Sequence, residues 1–313
     1  RATIFRIIPK RDSLENKSFI YSVFSFLCAY TIILLMVPIL AFYYRVSIFQ
    51  FTRYYYRAVF LVCYFLRSIC KIKTVMDIRT SAERDMLFAK SFGVDAYLSI
   101  SENITKQLIK SRVDKTKIFQ IPNVIEFPNE EPSLLQDNVV DELLGEGQFM
   151  LFVGQLIERK SIFEVLGAFK LYRAINPGIR LVLIGRDMHD LKSKGLLETS
   201  DGIVYLGEQS RELVLAFIRR SSLVLQPSKL EGISRVALES LYYGKKILLP
   251  NCIDEFVRSN PHFVPKENTV ESIFEKIKEL MVSDASPIYD LDIHNPVSHR
   301  KKLSQMYRNI LID

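Results

Sequence analysis

PSKLEGISRVALESLYYGKKILLP, Pro227 to Pro250, is the stretch that decides the architecture. The apolar run SLVLQ (222–226) leads into it, and a loop carrying Glu231 and Gly232 follows. Apolar residues then recur at helical spacing until Gly244, placed as a helix C-cap, and KILLP (246–250) is a second apolar run. Strand, loop, helix and strand in that order form a crossover unit, which joins parallel strands.

The same alternation extends outward in both directions. In the second half, strands are expected at 149–153, 180–184, 203–206, 222–226 and 246–250, with helices in the intervals. In the first half the pattern predicts strands at 2–8, 46–51, 72–77, 95–100 and 117–122. Helices are predicted there at 17–42, 53–70, 81–92 and 102–111. The fold class that results is α/β, with two Rossmann-like domains. PNVIEFPNEEP, Pro122 to Pro132, concentrates three prolines with acidic residues and reads as the connection between them. The expected division is a first domain over 1–125, a linker region over 126–147 and a second domain over 148–295. A basic, aromatic helix over 296–313 has no strand to serve and is expected to pack back toward the first domain. A chain of 313 residues is long enough for two such cores. The opening RATIFRIIPKRD reads as a mid-domain strand rather than a signal peptide, so further residues are expected upstream.

Charge divides the halves. Residues 1–125 carry 19 Lys+Arg and 8 Asp+Glu, a net of +11, whereas residues 126–313 have a net charge of −4. Arg45, Arg53, Arg57, Arg67, Lys71 and Lys73 flank Tyr- and Phe-rich apolar segments, an arrangement that suits an anionic membrane surface and not nucleic acid. The 27 residues from Ser18 to Tyr44 contain no formal charge, enough in length to cross a bilayer. Their tyrosines, their serines and Pro38 favour a buried or interfacial helix instead. The four cysteines have no metal-ligand or redox spacing, and three sit in apolar runs, which suits a reducing compartment.

Chemistry concentrates in the second half. Gly232 allows close backbone approach, and the amides of Ile233, Ser234 and Arg235 at a helix start form an anion site. Glu239 lies about a turn and a half further on, eight residues after Glu231; on spacing alone the two carboxylates serve equally as a solvated helix face. A second segment, FVGQLIERKSIFEVLGAFKLY (152–172), ends a strand in Gly154 and opens a helix behind a short basic loop. A cation there can neutralise a departing diphosphate.

These residues resemble the E-x7-E signature of the retaining GT-B glycosyltransferases of the glycogen-synthase-like family, bacterial polysaccharide and lipopolysaccharide type. The resemblance implies two Rossmann-like domains facing a cleft, with the first lacking its opening strand or strands. It assigns Glu231 to the donor sugar hydroxyls, Glu239 to the ribose, and the amides of Gly232, Ile233 and Ser234 to the diphosphate. The 152–172 segment is similar to the family's G-R-L-x-x-E-K-G loop, in which Lys160 matches the phosphate-holding lysine. Gln155 replaces the arginine there, Arg159 the glutamate and Ser161 the last glycine. RLVLIGRD (180–187) and YLGEQSRELVLAF (205–217) look like the next landmarks, whose loops would pocket the base through Gly185, Arg186, Gly207, Glu208 and Gln209. In the first half, Asp77 and Arg79 of VMDIRTS (75–81) resemble a D-x-R that some members carry in place of a cleft histidine. All four histidines, His189, His262, His294 and His299, lie in the second half or tail.

The implied activity is retaining, metal-independent transfer of a hexose from a nucleoside diphosphate sugar to a glycan or glycolipid acceptor. No cofactor beyond that donor is expected, and the setting implied is the inner face of the cell membrane. Gln155 and the absent first-half histidine keep a second reading open, a catalytically weak subunit that binds membrane or a partner. Asp290, Asp292 and His294 have the makings of a metal site but read as a loop, and Asn103-Ile104-Thr105 reads as a capped helix start rather than a glycosylated surface.

Overall fold

The computed structural model describes residues 37–43, 45–52, 57–79, 94–125, 134–145 and 147–312. The strand expected at 2–8, the helix expected at 81–92 and most of the uncharged segment from Ser18 lie outside them. Within them the chain folds into two parallel sheets accompanied by helices.

The first sheet runs β1 (Ile48–Phe51), β2 (Lys73–Ile78), β3 (Ala96–Ser99), β4 (Ile118–Gln120), each strand beside the next. Its helices are α1 (Arg57–Ser68) and α2 (Glu102–Lys110). β1 starts at Ile48 and not at Val46, because the Val46 amide donates to the Ala41 carbonyl and Arg45 turns left-handed to close the helix over 37–43. That helix buries Val37 and Ala41 against Val62, Leu66 and Ile72.

The second sheet has strands β5 (Phe149–Val153), β6 (Arg180–Ile184), β7 (Ile203–Gly207), β8 (Leu223–Leu225) and β9 (Ile247–Leu248), in spatial order β7-β6-β5-β8-β9. Strand order reverses between β5 and β8, and open α/β sheets bind ligands in the crevice beyond such a point. The central strands are apolar, as buried parallel strands are, and β5 has every residue buried. One correction concerns the connection: Leu134–Leu144, placed in the linker region by the sequence reading, is a helix (α3) whose Val140 and Leu144 join the second core. Proline and acidic flanks disguised an apolar stripe that the second sheet requires.

Five more helices complete this half: α4 (Ile162–Ile175), α5 (Arg211–Arg220), α6 (Arg235–Tyr242), α7 (Asp254–Ser259) and α8 (Val270–Val282). The chain then returns. α9 (Pro296–Ile312) buries Met306 and Ile310, four apart on one face, against Val75, Ala96 and Leu98 of the first sheet and Ile121 just beyond β4. Two histidines fasten its approach to the crossover: His294 Nδ1 bonds the Asn123 carbonyl and His299 Nδ1 the Pro122 carbonyl, both at 2.8 Å. His294 is fully buried. Its Nδ1 must carry the proton to donate to a carbonyl, leaving Nε2 to accept from the Tyr289 hydroxyl at 3.4 Å, and burial holds the ring pKa down.

The halves also meet where α2 faces α7. Glu102 pairs with Arg258, Lys106 with Asp254 at 2.7 Å, and the Asn103 amide donates to the Cys252 carbonyl at 2.9 Å. Asn103 therefore holds the second half, at the start of a helix capped by Ser101.

Candidate functional site

The site assembles at the carboxyl edge of the second sheet. Gly154, Gly185 and Gly207 end β5, β6 and β7, and all three have positive φ (147°, 136° and 69°). A Cβ on Gly185 would lie 2.0 Å from the Gly154 carbonyl oxygen, so that strand end tolerates no side chain. The glycines leave the edge open, with peptide groups at its surface.

Two loops close over the reversal point between β5 and β8, and they are stitched residue to residue. The Lys229 amide donates to the Arg159 carbonyl at 2.9 Å, and Arg159 Nη1 donates to the Leu230 carbonyl at 3.2 Å. Next along, Lys160 Nζ pairs with Glu231 Oε2, each side chain only 15% exposed. Of the two basic residues in this loop, Lys160 thus meets Glu231, while Arg159 is exposed and turned onto the Leu230 carbonyl. Gln155 is exposed as well. Ser161 sits at φ 58°, a left-handed conformation that favours glycine, and its buried hydroxyl has no hydrogen-bond partner. A non-glycine residue there costs about 1 kcal/mol.

Beyond β8, Ser234 is the N-cap of α6, its hydroxyl accepting from the Ala237 amide at 3.2 Å. The same hydroxyl lies 3.4 Å from Gln226 Oε1, and the Gln226 amide donates to the Val153 carbonyl at 2.9 Å. The start of α6 is therefore pinned over the end of β5. Gly232 is required for another reason: a Cβ there would come within 2.3 Å of the Arg79 carbonyl oxygen, where the first half abuts this loop. Ile233 packs against the cores of both halves.

Glu239, on α6, is buried, and its Oε1 has no hydrogen-bond partner. The nearest cation is Arg211, at the start of α5, with Nη2 at 3.3 Å from that oxygen. Burial raises the Glu239 pKa, opposed by Arg211 and Arg235. Arg211 was not singled out in the sequence, although it lies in the YLGEQSRELVLAF segment two residues after Gln209. Arg186 and Glu208 pair with each other at 3.0 Å, and the Gln209 amide donates to the Leu206 carbonyl at 2.5 Å. Cys252 is a further neighbour: its thiol donates to the Ser228 carbonyl, and burial with the Glu231 charge pushes it up to about 11, so it remains protonated.

The first-half pair divides. Asp77 is fully buried and accepts two bonds from Arg79, Nε at 3.0 Å and Nη2 at 2.8 Å, whereas Arg79 is 55% exposed. Burial raises the Asp77 pKa against the opposing charges of Arg79 and His299. Only Arg79 presents a group to solvent; the Asp77 carboxylate serves to fix it. Among the described residues no cluster of three or more His, Cys, Asp or Glu could hold a metal ion. Asp290 instead caps the turn that delivers His294.

Residues 138–289 match the family described as glycosyl transferases group 1. The chain is 23% identical over 235 residues to the capsular polysaccharide biosynthesis glycosyltransferase CapM of Staphylococcus aureus, covering 69% of this chain and 58% of that protein. It is 27% identical over 180 residues to the lipopolysaccharide 1,2-N-acetylglucosaminetransferase of Salmonella typhimurium, covering 52% and 46%. The chain thus spans about half the length of these curated relatives. In fold it is similar to Anabaena Alr3699/HepE, solved in complex with UDP and glucose, with a TM-score of 0.64 at 11% identity over 83% of this chain and 77% of that one. The resemblance drawn from Pro227–Pro250 is borne out, and so is the GT-B fold.

Proposed function

We propose, on the premise of a GT-B fold whose second half matches the group 1 glycosyl transferases, that the protein moves a hexose from a nucleoside diphosphate sugar to a growing, lipid-linked glycan. The observation that carries this reading is the contact at the β5/β8 reversal, Lys160 on Glu231 beside Gly154, with the buried carboxylate of Glu239 on the helix that the same loop opens. The names of the capsular and lipopolysaccharide relatives support the acceptor class.

In this reading Glu239 accepts from the ribose hydroxyls. Gly154, Gly185 and Gly207 admit the nucleotide, with the Arg186, Glu208 and Gln209 loops about the base. The Gly232 to Ser234 amides and Lys160 take up the charge that develops as the bond from C1 to the diphosphate oxygen breaks. Glu231 orients the sugar. The acceptor oxygen bonds to C1 on the face the phosphate leaves, and its proton passes to the departing phosphate oxygen, so the configuration is retained. No metal is needed for that charge balance. Proton NMR of the first product should show the donor's anomeric configuration; an inverted anomer would overturn the retaining step. A second reading, a binding subunit with little turnover, rests on Gln155 at the usual arginine position and predicts nucleotide binding without nucleoside diphosphate release.

The membrane setting belongs to the same proposal. Ile39, Phe42, Tyr43, Leu61, Tyr64 and Ile69 are exposed on the module formed by the helix over 37–43 and α1. Beside them a hollow of about 400 Å³ is lined by Arg67, Lys71 and Lys73 together with Asp95. Apolar rings next to cations suit an anionic lipid surface at the inner face of the membrane. No helix among the described residues is long and apolar enough to cross a membrane. The protein should sediment with vesicles containing phosphatidylglycerol and be released by about 0.5 M salt, which shortens electrostatic reach to a few ångströms. Equal sedimentation with phosphatidylcholine alone would remove the charge argument.

A further inference from the structure

Glu239 poses an electrostatic difficulty. A carboxylate accepts from two ribose hydroxyls most strongly when ionised, yet this one is buried, and burial favours the neutral acid. The groups facing it are few. From α5 comes Arg211, 3.3 Å away and 44% exposed; from its own helix come Arg235, one turn back and exposed, and Tyr243, one turn on. The Tyr243 ring is in turn covered by the Arg219 guanidinium at 5.5 Å, also from α5. Among the described residues, Arg211 is the cation that reaches the carboxylate from outside its own helix. The Arg211 guanidinium thus lies at ion-pair distance from the buried Oε1.

We propose that Arg211 is a positioning residue for donor binding: it keeps Glu239 ionised and fixes its carboxylate between α5 and α6, without itself contacting the nucleotide. This rests on the reading of Glu239 as the ribose-binding group. It also explains why a basic residue stands at the start of α5, where the helix dipole favours an acidic one.

The test is calorimetric titration of the full chain with UDP and with GDP at several pH values. Referring each variant to the wild type at the same pH cancels the titration of the nucleotide phosphate itself. Arg211→Ala should bind close to wild type at about pH 8 and lose affinity relative to wild type as the pH falls, by up to about tenfold for each unit by which loss of the cation raises the Glu239 pKa. Arg211→Lys, which restores the charge, should recover the wild-type profile, and Arg211→Gln, which restores only length and polarity, should not. A variant Arg211→Ala that follows the wild-type pH profile, or is weakened equally at every pH, overturns the inference while leaving the Glu239 reading intact. Failure of the wild type to bind either nucleotide overturns both.

Discussion

Lys160→Ala is expected to lower the turnover of a bound sugar nucleotide by about 10²- to 10³-fold, the range seen when one preorganised charge-stabilising group is removed. Lys160 is held by the left-handed turn at Ser161 and sits in a largely buried pair with Glu231. In the proposed reading its charge meets the leaving diphosphate with little reorganisation required. The substitution has a second consequence, since Glu231 would be left as a mostly buried carboxylate without its cation, and donor affinity should weaken too. Arg159 cannot take over cheaply, because its guanidinium donates to the Leu230 carbonyl and helps hold the two loops together. The rate of nucleoside diphosphate release measures the effect. A loss smaller than about threefold would be below what a charge-stabilising group contributes and would remove Lys160 from the mechanism.

The parts of this arrangement that could be read from sequence are those with a backbone cause. An apolar run that stops at glycine marks the ends of β5, β6 and β7, because glycine adopts the positive φ of Gly154, Gly185 and Gly207 without strain, and at Gly185 a Cβ would strike the Gly154 carbonyl. The same logic placed Gly232, though not the reason for it: the Arg79 carbonyl that presses on it comes from the other half of the chain. Ser161 shows the limit of the motif, since the left-handed turn is kept even where glycine is not. Tertiary partners were beyond reach. Arg211 looks like any charged residue at a helix start until α6 brings Glu239 beside it. Asp77 looks like a residue at an open strand end, yet its carboxylate is wholly buried behind Arg79. α3 is masked in the sequence because its apolar stripe is short and flanked by the acidic, proline-rich crossover.

Glu239→Ala should have the largest effect on binding. Hydrogen bonds to a charged group are each worth about 1.5–3 kcal/mol, so losing two on one carboxylate should weaken nucleoside diphosphate affinity at least about 100-fold. The cost to the fold should be small by comparison, because the substitution also removes a buried acceptor that is unsatisfied without a ligand. Arg211 would lose a partner but is partly exposed and can be solvated. Titration calorimetry with UDP and GDP, on the wild type and on Glu239→Ala side by side, tests the whole account. Saturable binding of one nucleotide that the substitution abolishes is the predicted result; no saturable heat from either, or affinity unchanged by the substitution, would contradict it.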